Sequence, residues 1–454
     1  RSGDAPAAWS RFPNLVGVLR LSMGLTLLFV LFQEAQNVAP AEMRRHGLGG
    51  LGSHALAAYA GAQVPAFALA PAVMRRLGAG RALLFSCACA SAFASILLLT
   101  SQLWDAETGS AARAVMVCAC GALGAFSTLI WPAQSVLLTQ YSPEAFLNRY
   151  SSLFALCFFS SGLIGPIVSS VALPVGGIAG MTSSLVGFAV VGMLLLVALP
   201  APEVQEEHET RQSEASQDEE APEPKGAVQS YILGDRRFLH LCSLDFAHGL
   251  CLNAFVSVAM PLLSQAWGPE DATPLERAQR LQLALMCNGA GHLAAGVAYA
   301  PIADRWGRRS ALSLQVAGGV AALAFAACQL LLGQGAGGSS GAPFVLFAAV
   351  LSGFTFVYCR IGNSALTSSL FRDRAAVAFA ALVMARFSGT ALGFLVLPLL
   401  PSLVACVAPL VLMVLVTLAA AAHAPLFAPP GRAAASAAAA DAEAGEATQR
   451  SNRR

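Results

Sequence analysis

The chain has 454 residues, of which 56% are hydrophobic and only 11% are charged. Its mean hydropathy of +0.64 lies far outside the range of soluble globular domains and predicts a multi-pass membrane protein. The formal net charge of +2 is too small to indicate a nucleic-acid partner.

Twelve apolar segments are long enough to cross a bilayer, because the hydrocarbon core requires about 20 consecutive apolar residues per helix. Six of these predicted spans precede a polar break and six follow it. In chain order they cover residues 15–37, 54–74, 82–103, 114–138, 151–173, 177–199, 238–263, 282–302, 311–332, 342–366, 375–400 and 403–427.

The break between the two groups of six is acidic, contains proline and is nearly free of bulky apolar residues, which predicts a disordered linker. Alternatively, the linker serves as a docking segment. We therefore expect five regions: an N-terminal segment (1–14), a first six-helix bundle (15–200), the linker (201–237), a second six-helix bundle (238–427) and a disordered tail (428–454).

Orientation follows from arginines in short loops, because cytoplasmic loops carry an excess of Lys and Arg. Placing the N-terminus in the cytoplasm puts Arg75 and Arg76, after span two, on the inner side together with Arg305. The linker and both termini are then cytoplasmic as well. Nothing in the sequence indicates which membrane holds the protein.

Spans one and four carry polar side chains, which are costly inside a membrane and so mark candidate functional residues. Glu34 lies near the end of span one, and Gln134 lies within span four. For Glu34 the alternative is a solvated side chain at the exterior surface. Trp131 directly precedes Pro132 and is either a packing residue or a stacking wall for a ligand.

Span seven carries Asp245 and His248, three residues apart and hence on one helix face. At about 1.5 Å per residue, Asp245 lies roughly 12 Å along the helix from Arg237. An acid beside a histidine can exchange protons, so this face is a candidate substrate or proton site.

Spans ten and eleven supply basic and amide groups: Arg360 and Asn363 on the first, and Arg386 on the second. A lone ionised group at that depth costs several kcal/mol, so we predict that Asp245 pairs with Arg360 or Arg386. A buried arginine can hold a carboxylate or another anion. The alternative is a structural ion pair that fixes helix packing in the second bundle.

A cluster of charges follows span eight in the stretch ADRWGRRSAL, residues 303–312. From Ala300 the order small-x-x-x-Asp-Arg-x-Gly-Arg-Arg resembles the loop motif of the major facilitator superfamily. The resemblance implies an all-α membrane fold of twelve helices in two six-helix bundles, around a cavity lined by spans one, four, seven and ten. It also implies that the loop latches the cytoplasmic side. The residues concerned are Asp304, Arg305, Gly307, Arg308 and Arg309.

The corresponding loop of the first half, PAVMRRLGAGR, departs from that motif, because Arg75 stands where the acidic residue would fall. This loop resembles the Unc-ninety-three-like branch of the superfamily. The stretches AQN (35–37), IWPAQSVLLTQYS (130–142) and NRYSSLFALCFFSSGLIGP (148–166) extend the likeness over about the first 175 residues. Glu34 is a departure, since a small residue is expected there.

Residues typical of enzymes and cofactor sites are missing from the sequence. It contains no phosphate loop, no His/Glu zinc spacing and no identifiable nucleophile with a base, so we expect neither an enzyme nor a bound cofactor or metal. The eleven cysteines all lie in apolar runs and are expected to be packing residues.

Two functions remain open. The first is a secondary transporter that moves a small solute by alternating access, with proton movement through Asp245 and His248 as an option. The second, implied by the Unc-ninety-three-like resemblance, is an accessory protein that regulates an ion channel or escorts membrane proteins. The partners are accordingly a small solute and membrane lipid in the first case, and a membrane protein in the second.

Overall fold

The computed structural model describes residues 14–142, 147–200, 234–254, 273–333, 342–371 and 375–396, with isolated residues between 399 and 419. Within these ranges every regular element is a helix, which confirms the predicted all-α class. Helices suit such apolar segments because each satisfies its own backbone hydrogen bonds, as lipid requires.

Twelve α-helices are described, and they do not correspond one to one with the twelve predicted spans. They are α1 (Leu15–Arg45), α2 (Leu51–Ala66), α3 (Ala70–Leu77), α4 (Ala79–Leu103), α5 (Ser110–Ser127), α6 (Ile130–Tyr141), α7 (Leu147–Phe159), α8 (Ser161–Val197), α9 (Arg236–Ala254), α10 (Pro274–Gly333), α11 (Ala342–Leu370) and α12 (Ala375–Val396).

The first six predicted spans are all found, although three are built from more than one helix. Span two consists of α2, a short 3-10 turn and α3, span four consists of α5 and α6, and span five consists of α7 and the beginning of α8. Spans five and six meet within α8 at Gly177, whose φ of 58° and ψ of −159° interrupt the helix. Such a φ favours glycine, because side chains with a Cβ rarely adopt it.

The second half is described incompletely. α9 covers the beginning of span seven, α11 covers span ten and α12 covers most of span eleven. The tail, most of the linker and more than half of span twelve lie outside the described residues. Within the described ranges, seven helical stretches are long and apolar enough to cross a membrane.

Spans eight and nine both lie in residues 274–333, which are helical throughout and form α10, with Pro301 inside it. The chain nevertheless reverses within α10, because a Cβ on Gly291 would meet Val350 of α11 and a Cβ on Gly319 would meet Thr355, about one turn further along the same helix. A straight helix would separate Gly291 and Gly319 by about 42 Å, so the turn predicted between spans eight and nine is present. A capping box starts α10: the Glu276 N–H donates to Thr273 Oγ1 at 3.3 Å, and the Thr273 N–H donates to Glu276 Oε2 at 2.8 Å.

Packing divides the helices into two groups that meet along two corresponding seams. In the first half α1 packs against α8 and α4, and α2 packs against α5; in the second half α9 packs against α12, and α10 against α11. Between the halves α2 contacts α12, and α8 contacts α10. The second span of the first half thus meets the fifth span of the second half, and the fifth span of the first half meets the second span of the second half. This arrangement is expected of two repeats related by an axis along the membrane normal.

Candidate functional site

A buried ion pair joins α9 to α12. Asp245 is 0% exposed, and its Oδ2 accepts a hydrogen bond from Arg386 Nη2 at 2.6 Å. Its Oδ1 accepts a second bond from Asn363 Nδ2 of α11 at 2.8 Å. Arg386 is therefore the partner, out of the two that the sequence allowed.

Two glycines bring the backbones of α9 and α12 close enough for this pair. A Cβ on Gly249 would collide with the Arg386 carbonyl, and a Cβ on Gly389 would collide with the Phe246 carbonyl. Thr390 Oγ1 also donates to the Gly249 carbonyl at 3.2 Å. Because each glycine lies about one helical turn from a member of the ion pair, this close crossing sets the Asp245–Arg386 geometry.

Arg360 of α11 has aromatic rings as its neighbours. Its guanidinium carbon lies 4.4 Å from the Trp131 ring centroid, 5.1 Å from that of Phe159 and 5.4 Å from that of Phe158. These are cation–π distances. Among the described residues, no carboxylate lies within salt-bridge distance of Arg360, whereas Asp245 is bound to Arg386.

Two cavities lie along the boundary between the halves. The inner cavity, of about 770 Å³, is bordered by Gln134, Ser135 and Thr139 of α6 and by Ser364 of α11. These residues lie toward the ends of spans four and ten that are predicted to face the cytoplasm. The outer cavity, of about 870 Å³, is bordered by the later turns of α1 and the first turns of α10, where the opposite face is predicted.

Five residues border both cavities, and we call them the central partition: Trp131, Phe158, Phe159, Arg360 and Arg386. The partition takes side chains from α6 and α7 of the first half and from α11 and α12 of the second. It therefore stands between the two cavities and between the two halves.

Glu34 is a second buried carboxylate, located where three helices meet. It is 0% exposed, which contradicts the alternative of a solvated surface side chain. Its Oε2 accepts hydrogen bonds from Ser169 of α8 at 2.9 Å and from Gln282 of α10 at 3.2 Å. The bond to Gln282 crosses from the first half to the second. Within the described ranges Glu34 makes no salt bridge.

His248 and Asp245 do not form the hydrogen-bonded pair that proton exchange between them would use. His248 is fully buried, and neither ring nitrogen has a hydrogen-bond partner among the described residues. Its ring lies edge-on to Phe356, with centroids 6.2 Å apart. In this conformation the carboxylate of Asp245 is instead occupied by Arg386 and Asn363.

The predicted latch residues are described incompletely. Arg75 and Arg76 are exposed in the last turn of α3, and Arg305 is exposed on α10. The side chains of Asp304, Arg308 and Arg309, and the surroundings of Gly307, lie outside what the structure describes. The latch therefore stays a prediction.

Sequence reasoning missed four residues of these sites. Phe158 and Phe159 belong to a uniformly apolar stretch, so nothing in the pattern separates them from packing residues. Ser169 and Gln282 become relevant only because helix packing brings them to Glu34. Gln282 is a polar residue at the first position of span eight, and this is the one sequence signal that could have identified it.

Metal ligands are not concentrated anywhere in the described residues: no group of three or more His, Cys, Asp or Glu side chains is positioned to hold an ion. The nine cysteines whose side chains are described are spread between buried and exposed positions.

Comparisons with known proteins bear on the fold. The family model described as "Major Facilitator Superfamily" matches residues 21–394. Two crystal structures of a bacterial homologue of the iron transporter ferroportin, both outward-facing and one with soaked iron, match with TM-scores of 0.59 and 0.56. They are 15% and 14% identical, and in each case 90% of this chain and 98% of the other is covered. A search of curated proteins finds no match. None of these findings distinguishes the Unc-ninety-three-like branch, so that resemblance stays a prediction.

Proposed function

The chain belongs to the major facilitator superfamily, and from that premise we propose that it is a secondary transporter that carries a small solute across the membrane by alternating access. The observation that supports this proposal best is the central partition between the inner and outer cavities. A carrier needs one site that each side of the membrane reaches in turn, and both cavities border the same five residues.

The seams between the halves support the required motion. The α2–α12 and α8–α10 contacts are interfaces between the two bundles, while α9–α12 and α1–α8 are contacts within a bundle. Rocking of one bundle against the other would open one end of both seams at a time while preserving the packing inside each half. Since the sequence holds no phosphate loop, we propose that a solute or ion gradient drives this motion.

The cargo of the ferroportin-like neighbours does not carry over to this chain. Those neighbours are homologues of an iron transporter, but the described residues of this chain hold no cluster of metal ligands. The partition also carries two arginines, and positive charge disfavours a metal cation. We therefore infer a solute that is not a metal ion.

Uptake into proteoliposomes tests the proposal. We expect the full chain to accumulate at least one labelled solute from a pool of amino acids, sugars, organic anions and nucleosides, above empty vesicles. The same preparation is checked for cooperative thermal unfolding. Folded protein that moves none of these solutes, with or without an inward proton gradient, would contradict a transporter and favour the accessory role.

We propose that Glu34 binds and releases the proton that is coupled to transport. An ionised carboxylate without a cationic partner is expensive inside a bilayer, so the neutral, protonated form is the one that can stay buried. Opening of the α8–α10 seam would break the Gln282 hydrogen bond and let water reach Glu34, which then releases its proton. Asp245 is less suited to this role, because both of its carboxylate oxygens are already bound, by Arg386 and by Asn363.

We expect Glu34→Gln to abolish stimulation of uptake by a proton gradient while solute exchange between the two sides of the vesicle continues. Glutamine keeps the size and the hydrogen-bonding oxygen but carries no titratable proton. Gradient-driven uptake and counterflow exchange are measured in parallel. Glu42→Gln on the same helix, next to Arg45, is the control and should behave like the wild type. Retained gradient stimulation in Glu34→Gln would remove Glu34 from the coupling step.

A further inference from the structure

We propose that the central partition binds small organic monoanions, with the Arg360 guanidinium holding a carboxylate while the aromatic rings of the partition pack against the apolar body. This inference rests on the proposed transport function, because it identifies the class of solute for the same site. The chemistry fits a monocarboxylate with a flat or apolar substituent.

The charge balance of the site favours a solute with a single negative charge. Among the described residues of the partition and its neighbours, two arginines face one aspartate, and Asp245 binds Arg386 at 2.6 Å. Arg360 is then left as one cation without a carboxylate partner. A monoanion neutralises it, a neutral solute leaves it uncompensated, and a cation adds to the repulsion.

The surroundings of Arg360 leave hydrogen-bond donors for the solute. The guanidinium carbon lies over the Trp131 ring, 4.4 Å from the ring centroid, and among the described residues no carboxylate lies within salt-bridge distance of it. The N–H donors of a guanidinium match the two oxygens of a carboxylate. A carboxylate can therefore bind the cation while the indole ring keeps its contact with it.

Arg360 is also accessible from both cavities, whereas a purely structural cation can be sealed off from any solute. Arg360 is partly exposed and borders both cavities. The rings of Phe158 and Phe159 line the same space and would cover an apolar substituent.

Binding to the full chain in detergent tests the charge class without requiring transport. The probes are acetate, lactate, benzoate and phenylacetate as monoanions, with benzamide as a neutral analogue, benzylamine as a cation and phthalate as a dianion. We expect at least one aromatic monoanion to raise the unfolding temperature in a concentration-dependent way, and to bind at least tenfold more tightly than benzamide, benzylamine and phthalate.

Variants of Arg360 test whether this residue binds the anion. Arg360→Gln should weaken binding of the preferred monoanion at least tenfold, and Arg360→Lys should give an intermediate loss, because lysine keeps the charge but not the planar fork. Arg81→Gln, which removes an exposed arginine at the start of α4, is the control and should bind like the wild type. Equal binding of benzoate and benzamide, no binding of any monoanion, or unchanged affinity in Arg360→Gln would overturn the inference.

The same measurements separate this inference from the transport proposal. Monoanion binding that depends on Arg360, without uptake into vesicles, would refute transport and leave the binding site intact. Uptake of a neutral or cationic solute that persists in Arg360→Gln would support transport and refute the monoanion site.

Discussion

Replacing Asp245 by alanine lowers the free energy of unfolding by about 3–5 kcal/mol, the range typical of breaking a buried ion pair from one side. The carboxylate is fully buried and accepts bonds of 2.6 and 2.8 Å. Its removal leaves the Arg386 guanidinium charged, buried and without its partner. The loss is measured as a shift in denaturant-induced unfolding in detergent, monitored by circular dichroism.

A double variant distinguishes a lost charge balance from lost packing. Asp245→Leu combined with Arg386→Met should be much more stable than either single change, because replacing both ions with apolar groups removes the unpaired charge. Additive losses in the double variant would contradict this account. Asp235→Ala is the matched control: Asp235 pairs with Arg237 at the same 2.6 Å, but the pair is partly exposed. We expect its loss to be at most about 1 kcal/mol.

The ion pair also illustrates what sequence reasoning can and cannot predict. The cost of burying a lone charge was enough to predict that Asp245 pairs with an arginine. It was not enough to choose between Arg360 and Arg386, because spacing along one helix does not give the rotation of neighbouring helices. That rotation depends on the backbone contacts at Gly249 and Gly389, which the sequence does not specify.

The spans were predictable for a different reason. Bilayer thickness fixes the number of apolar residues per helix, so the positions and lengths of the apolar runs locate the six spans of the first half. The break between spans five and six is predictable too, since the apolar runs end at residue 173 and resume at residue 177, where Gly177 interrupts α8. What the sequence does not predict is that the residues joining spans eight and nine are helical, since charge does not by itself end a helix.

The aromatic residues of the central partition are also only partly predictable from the sequence. Trp131 is distinguished in the sequence by the proline that follows it inside a span, but Phe158 and Phe159 have no distinguishing pattern. Their role depends on Arg360, which comes from the other half of the chain and approaches them only after the bundles pack together.

Gly289→Val abolishes transport while the protein stays folded, if the two bundles rock as proposed. A Cβ at Gly289 would collide with the Gly162 carbonyl of α8 and lie 2.7 Å from Leu163 N. This contact belongs to the seam between the bundles on the predicted outer side. Opening of that seam relieves the collision, so the variant is trapped open on that side and its uptake falls to the level of empty vesicles.

Gly249→Val is the informative comparison, because its collision lies between α9 and α12, inside one bundle. Rocking does not separate those helices, so this variant loses stability, and its unfolding temperature falls more than that of Gly289→Val. Gly187→Val controls for the added side chain itself, because this glycine is exposed and a Cβ there would meet nothing within 4 Å. It should match the wild type in both assays.

The two glycine variants therefore separate packing that is permanent from packing that must be released in each cycle. Wild-type uptake by Gly289→Val would mean that the α8–α10 contact never closes during transport, and the gating role given to Gln282 and Glu34 would fail with it. Equal destabilisation of Gly289→Val and Gly249→Val would mean that the two halves behave as one rigid body, which is the behaviour expected of a scaffold rather than a carrier.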